Sequence, residues 1–440
     1  MSGGSHHPWL VVTLVCFFVA TTSGAEAQTW LSDRKRAEGS GIRVGDLELH
    51  PGIGAELGYL SNVYNDEDGN ELGSAALRVA PHLFLSTLTE ERGDTEGERV
   101  PGFVRFRGGL SASLQHYFAD NMPTTDFGAN ADLRLTLAPE RPISFEVVEI
   151  FSRMFRPFAD PIEDPADGPL PSPDYVRYQE TIGARLIGQT RGGLLQGSLG
   201  YRFNYNWFQD DAYSQNNNLI HTVQLTGGWE FLPKTALFYE ATYAHQDYTE
   251  NQDSGEDVQR LEDNDQVSSR IGINGAITSR ISATLAAGYA AGFFNGNDFE
   301  GVTVHVDGRW TPTEISELGL GYERSFTSAY LGNFVQRDQI YTRLRFFVGG
   351  SFVIASKLAV EFLQFGPDEL SDAEPRDDIR YSGDLSAEYR FVSWLALTGQ
   401  LSAVIDDTDY VYVLDTPSGD DEDPAEYKSF EAWIGVRAFL

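Results

Sequence analysis

The chain ends Phe430-Glu431-Ala432-Trp433-Ile434-Gly435-Val436-Arg437-Ala438-Phe439-Leu440. Phe430, Ala432, Ile434, Val436, Ala438 and Leu440 are all apolar, and the period-two pattern runs to the final residue. Alternate side chains of a strand point to opposite faces, so this stretch reads as an amphipathic strand with one wholly apolar face. Termini fray unless they are tied down. A chain that ends inside such a strand is expected where that strand closes a barrel. The same alternation recurs along the whole sequence. The expected fold class is all-β: a single transmembrane antiparallel β-barrel of about 18 strands (16–18), with short periplasmic turns and long acidic outer loops.

The first strand is expected from Leu47 to Val63. Leu47, Leu49, Ile53, Ala55, Leu57 and Tyr59 alternate with Glu48, His50, Gly52, Glu56 and Gly58, which suits lipid outside and water inside. Further clear segments are Val104–Phe118, Phe127–Leu137, Leu195–Trp207, Leu219–Phe231, Leu237–Tyr243, Val267–Ile277, Ile281–Phe293, Val302–Trp310, Ile379–Phe391 and Leu395–Ile405. In Val302–Trp310 the outward set is Val302, Val304, Val306, Gly308 and Trp310; the inward set is Thr303, His305, Asp307 and Arg309. Phe145–Phe155 and Phe352–Phe365 slip in phase, as β-bulges would make them do.

Connections alternate in length. Short ones fall near Pro139–Pro142, Thr190–Gly193, Leu232–Thr235, Thr278–Arg280, Thr311–Thr313, Gly349–Ser351 and Val392–Trp394. Between them lie long ones near Asp66–Gly73, Pro157–Asp174, Gln209–Asn218, Glu250–Asp265, Gly366–Asp378 and Asp406–Glu426. This is the asymmetry of outer-membrane barrels, and it puts both termini in the periplasm. Thr89–Pro101 departs from it, a long connection in a short-turn position. The competing reading is a soluble β-sandwich or β-helix, which accounts for neither the N-terminal segment nor the terminal strand.

Residues 10–20, Leu-Val-Val-Thr-Leu-Val-Cys-Phe-Phe-Val-Ala, have the length of a signal-peptide core and are too few to span a bilayer as a helix. Ala25-Glu26-Ala27 supplies a cleavage site, so residues 1–27 are expected to be a signal peptide, 28–46 a periplasmic lead-in and 47–440 the barrel. Met1–Pro8 lacks the usual Lys or Arg. Val15 stands where a lipoprotein signal has a small residue, which argues against lipidation at Cys16. With Cys16 the only cysteine, a mature chain from Gln28 has no disulfide, thiolate zinc site or Cys nucleophile. The 44 Gly, 7 Trp, 20 Tyr and 28 Phe suit strands with one apolar and one wet face. The net charge of −33 argues against nucleic acid, whose phosphates it would repel.

Charge is concentrated in two places. The longer loops are acidic: Glu250–Asp265 carries seven carboxylates against one Arg, and Asp415–Glu426 carries no base. Such loops either solvate the mouth or bridge divalent cations to surface lipopolysaccharide. Asp66-Glu67-Asp68-Gly69-Asn70-Glu71 has the residue types of a calcium loop, but its Gly is misplaced for an EF-hand. Strand phase puts Arg105, Arg107, Arg134, Arg185, Arg202, Arg343, Arg345 and Arg437 on the inner face, with Glu48, Glu56, Glu146 and Asp307. These are candidate lumen residues, suited to polyhydroxylated or anionic polymer or to an internal ion-pair network. His50, His82, His116, His221, His245 and His305 show no metal-ligand spacing, and Gly192-Gly193 does not continue into a nucleotide loop. Neither catalysis nor a metal or other cofactor is expected.

Gly41-Ile42-Arg43-Val44-Gly45-Asp46-Leu47-Glu48-Leu49-His50-Pro51-Gly52-Ile53, continuing to Gly58-Tyr59-Leu60-Ser61-Asn62-Val63-Tyr64, resembles the first strand of the beta-barrel porin 2 family. Leu47 stands where that family commonly has an aromatic. In this stretch Asn62 suits closure of the first outer turn through its amide. Tyr59 and Tyr64 suit the outer interface. The resemblance implies an outer-membrane barrel linked to exopolysaccharide or capsule export in Gram-negative bacteria. It carries no catalytic residues.

The expected function is an outer-membrane channel or component of polysaccharide secretion, with lipid and lipopolysaccharide around it and polysaccharide and export machinery as partners. The alternatives are a general diffusion porin for small solutes and an outer-membrane enzyme on a barrel scaffold. Oligomeric state is left open. An epitope inserted between residues 251 and 262 should be labelled on intact cells, and one at residues 233–234 only after permeabilisation. The opposite pattern would invert the topology.

Overall fold

A strand of about 9–11 residues tilted by about 45° crosses the hydrocarbon core, and nearly every alternating segment here reaches that length. The computed structural model describes residues 39–67, 69–87, 102–119, 125–139, 141–155, 176–190, 192–249, 263–294, 298–329, 334–366, 376–416 and 419–440. The expected signal peptide, most of the lead-in, the Thr89–Pro101 and Pro157–Asp174 connections, and the central parts of Glu250–Asp265 and Gly366–Asp378 lie outside the described residues.

The strands are β1 (Ile42–Val44), β2 (Leu47–Leu60), β3 (Ser74–Thr87), β4 (Val104–Tyr117), β5 (Thr125–Leu137), β6 (Ile143–Phe155) and β7 (Val176–Gln189). They continue with β8 (Leu195–Phe208), β9 (Asn218–Leu232), β10 (Thr235–Tyr248), β11 (Asn264–Ala276), β12 (Ile281–Phe293), β13 (Phe299–Thr313) and β14 (Ser316–Ser328). The remainder are β15 (Phe334–Val348), β16 (Phe352–Phe365), β17 (Asp377–Val392), β18 (Leu395–Thr408), β19 (Val411–Thr416), β20 (Gly419–Pro424) and β21 (Tyr427–Phe439). β2 to β18 and β21 form a closed antiparallel barrel of 18 strands. β19 and β20 are a separate hairpin inside the last long connection, where the sequence pattern indicated only a loop.

The barrel closes between β2 and β21, with Gly52 opposite Phe439 and Leu60 opposite Glu431. β21 ends before β2 does. The remaining edge of β2 is taken by β1, which pairs Ile42 with Leu49 and Val44 with Leu47 through a turn at Gly45 (φ +64), a conformation that costs glycine little. Pro51 sits at the changeover. Its carbonyl accepts from the Leu440 N–H at 3.0 Å. In an antiparallel strand a residue's N–H and C=O point to the same edge, so the donor that proline lacks falls where no partner is needed.

Every residue of the apolar set in β21 faces outward, and Ile434 and Val436 are 60% and 49% exposed. Phe439, in the opposite phase, is 2% exposed inside. The apolar outer belt includes Ile53, Leu57, Leu199, Ile271 and Leu320. Trp229, Trp310 and Trp394 stand near its short-turn end, and Tyr59, Tyr243 and Tyr289 near the other, as in the aromatic girdles of membrane barrels. His116 and His221 lie outward near the long-loop end, bonded to Thr125 and Tyr201.

Three expectations need correction. Phe145–Phe155 and Phe352–Phe365 contain no bulge; their ladders run in unbroken register. β16 lost its pattern because inward Val353, Leu363 and Phe365 are buried apolar side chains. β6 lost it because Glu149 breaks the outward set. Register shifts occur instead at Thr235/Ala236, Trp310/Thr313 and Arg390/Val392, and the turn expected at Thr311–Thr313 falls at Glu314–Ile315. Asp378 and Asp406, which the pattern put at the edges of the outer loops, are buried strand residues.

Glu149 lies at the middle of β6, opposite Leu133 and Ile182, and is exposed on the lipid face. Glu149→Leu should stabilise folding into phosphatidylcholine vesicles by about 1 kcal/mol, whereas Val304→Arg should cost roughly 2–4 kcal/mol. Urea titration of vesicle-folded protein measures both. A loss of stability on removing Glu149 would show that this wall does not face lipid.

Candidate functional site

The inner face divides into a packed side and an open side. The packed side follows the closure seam. Arg78, 1% exposed on β3, donates from Nη2 and Nε to Glu56 Oε2 on β2 at 2.7 and 2.9 Å. Its guanidinium lies 4.1 Å from the Trp433 ring on β21, and Thr398 on β18 donates to the other Glu56 oxygen at 3.3 Å. Four strands thus converge on one ion pair. Towards the short turns, Arg437 and Arg390 share Glu388, with the Phe439 ring 4.7 and 4.9 Å from their guanidinium carbons. Towards the long loops, Arg376 binds Asp378 at 2.8 Å, and Arg380 reaches Asp406 at 2.7 Å and the Tyr427 hydroxyl at 3.1 Å. Buried charges need such partners, because desolvation costs several kcal/mol per ion.

The open side runs from β5 to β14 and encloses a cavity of about 540 Å³. Its wall combines the hydroxyl and amide groups of Thr181, Asn204, Thr222, Gln224, Thr242 and Ser268 with the apolar side chains of Val148, Ile150, Ala286 and Ala290. Charged groups are set into it in pairs. Arg185 Nη2 lies 2.8 Å from Glu146 Oε1, and Arg134 approaches the other oxygen at 4.0 Å. Arg270 binds Glu240 at 2.6 Å, and His305 lies 3.8 Å from Glu323. These side chains keep polar groups directed at the cavity, so the wall can exchange hydrogen bonds with a hydrated solute.

The candidate lumen residues fall as follows. Arg134, Arg185 and Arg202 line the cavity. Asp307 accepts from the Tyr341 hydroxyl at 2.7 Å and from Arg343. Arg345 stacks over Phe347 at 5.1 Å. Arg105 and Arg107 share the inner face of β4 with Gln115 and stand exposed near its start. They are therefore spread around the wall rather than gathered at one point. Sequence reasoning missed Arg78, Arg270, Arg376 and Arg380. Arg78 lies opposite Glu56 across the first hairpin, and pairing those two strands in register would have found it. Asn62 does close the first outer turn: its Oδ1 accepts from the Asp66 N–H at 3.0 Å, and its Nδ2 donates to the Lys428 carbonyl at 3.1 Å on the last strand.

A closed barrel with an apolar belt and a polar interior is a transmembrane barrel, and this architecture is that of bacterial outer-membrane proteins. No family model and no curated protein matches the chain. Among solved structures it is similar to the outer membrane protein OpdK of Pseudomonas aeruginosa, at 10% identity over 89% of this chain and 99% of that one, with a TM-score of 0.48. It is also similar to the FrpB iron transporter of Neisseria meningitidis (11%, 91% and 83%, 0.46) and to OccAB4 of Acinetobacter baumannii (10%, 89% and 98%, 0.45). At such identities the likeness is one of chain path, and the class rests on the chemistry of the wall.

Arg78→Met should destabilise the barrel by about 3–5 kcal/mol, because it leaves Glu56 buried and unpaired. Arg78→Met combined with Glu56→Leu should recover most of that loss. Urea unfolding followed by heat-modifiable gel migration reads both. A single variant as stable as the parent would mean the pair is wet.

Proposed function

We propose that this barrel is a passive channel of the bacterial outer membrane, serving as a component of exopolysaccharide or capsule secretion. The observation that supports this most is the open cavity, whose hydroxyl, amide and paired-charge wall can replace bulk water around a hydrated chain. The likeness of residues 41–64 to the first strand of the beta-barrel porin 2 family supports the link to polysaccharide. In this reading the wall contributes solvation and the driving energy comes from elsewhere. We also propose that the barrel does no chemistry on its cargo. Lipid and lipopolysaccharide surround it, and export machinery meets its periplasmic end.

A general diffusion porin for small solutes is the second reading, favoured by the fact that the packed seam side leaves only part of the cross-section open. Planar-bilayer recording separates the two. The export reading expects stable conductance steps that a linear neutral polysaccharide fragment interrupts in discrete blockades. It also expects Thr222→Trp, placed in the cavity wall, to reduce conductance. The porin reading expects disaccharide permeation in vesicles without polymer blockades. A folded barrel that carries no current at all would overturn both.

A further inference from the structure

β13 and β14 separate before they reach the outer rim. Their ladder ends at Val304 opposite Arg324, although both strands continue, β13 back to Phe299 and β14 on to Ser328. Residues 299–303 stay paired with β12, and residues 325–328 with β15. Among the described residues no ladder pair joins these two stretches to each other. The fork opens near the outer aromatic girdle, since Val302 lies opposite Tyr289. Backbone groups at that level are within reach of water, so an unpaired edge is tolerated there as it would not be in the hydrocarbon.

Above the fork the ends of β14 and β15 tuck inside the wall. Phe326 shares the phase of Leu320, which faces lipid. Yet its ring lies parallel to that of buried, inward Phe299, with centroids 5.0 Å apart. A side chain on Gly301, which faces inward on β13, would collide with the Phe326 ring. Phe334 of β15, in phase with lipid-facing Ile340, sits 4.8 Å from Phe299. Ser328 donates to Gln246 Oε1 on β10 at 2.9 Å and accepts from Gln266 Nε2 on β11, although β12 and β13 stand between β11 and β14 in the wall. A side chain that reaches past two strands in this way crosses the inside of the barrel. The cavity is lined in part by Ser325 and Phe326, so the tucked ends border the route.

We propose that the outer ends of β14 and β15 are a gate at the mouth, tucked in when shut and zipped onto β13 when open. The proposal rests on the channel reading for the route and concerns its regulation. Continuing the register beyond Val304 and Arg324 sets Val302 opposite Phe326 and Glu300 opposite Ser328. The zipped state gains those backbone pairs. The tucked state has instead the aromatic stack and the two hydrogen bonds of Ser328. Each arrangement holds interactions that the other lacks, which is what a two-state element requires. Arg324 and Asp338, joined at 2.7 Å where the fork begins, tie β14 to β15 at the hinge, so the two ends move together.

Single-channel recording and thiol chemistry test the gate in the barrel from Gln28 on, which has no cysteine of its own. Gly301→Val should evict the Phe326 ring and leave the zipped pairing intact, so the open fraction should rise about tenfold from a minor population. Phe326→Ala should act in the same direction without adding bulk to the wall. Glu300→Cys with Ser328→Cys sets two thiols directly opposite each other only in the zipped state. Oxidation should then hold the high conductance and dithiothreitol should release it. Gln246→Cys with Ser328→Cys, bridged by bismaleimidoethane, should hold the low conductance. Folded Gly301→Val and Phe326→Ala barrels that gate as the parent does, or a disulfide between positions 300 and 328 that leaves conductance unchanged, would overturn the gate. If no variant carries current, the channel reading fails, and the gate is decided by gel mobility of the Glu300→Cys, Ser328→Cys barrel oxidised in vesicles. There the disulfide should form about tenfold faster when Phe326→Ala is added, and an unchanged rate would overturn the proposal.

Discussion

Backbone hydrogen bonding in a medium without water is the constraint on which this structure depends. Each unpaired N–H or C=O in the hydrocarbon region costs several kcal/mol, so the sheet must return to its own first strand. The details at the seam follow from this. β21 covers β2 from Gly52 to Leu60, β1 covers Leu47 to Leu49, and Pro51 stands at the changeover between them. Asn62 then ties the first outer turn to the strand that closes the ring.

The interior answers a second demand. A barrel wall is apolar outside, so polarity inside has to be either wet or paired. Along the seam it is paired, with Glu56–Arg78, Glu388–Arg437 and Asp406–Arg380 stacked along the axis and aromatic rings set against their guanidinium groups. From β5 to β14 paired charges and hydroxyl and amide groups border an open cavity. Filling one side of the lumen narrows the route without inserting a separate plug domain among the described residues. It also places a run of buried ion pairs next to the joint between β2 and β21.

Much of this was legible in the sequence because two-residue periodicity survives wherever one face meets lipid and the other water. Ile281–Phe293 and Phe352–Phe365 appear with the bounds expected of them, and Arg134, Arg185 and Arg202 line the cavity. The pattern was weakest where that contrast fails. β16 buries apolar residues inward, β6 carries Glu149 outward, and β10 and β13 extend beyond the belt into water, where alternation carries no cost. Asp378 and Asp406 were assigned to loops because an acidic residue beside an acidic loop looks like part of it. Only the register across β17 and β18 brings Arg380 and Asp406 opposite each other. Composition and spacing do not contain cross-strand partners, so the ion-pair tiers needed the ladder.

Arg437 gives the final strand a means of rejecting wrong pairings. In the observed register its guanidinium is 1% exposed and meets Glu388 inside the wall. A slip of one residue turns every side chain of a strand to the other face. It would put Arg437 and Glu431 into the acyl chains and Ile434 into the lumen, and would leave Glu388 dependent on Arg390 alone. The closing strand therefore loses a buried ion pair in a misaligned closure. A misregistered ring would reopen far more readily than a correct one, so the wall selects its own register at the moment it seals.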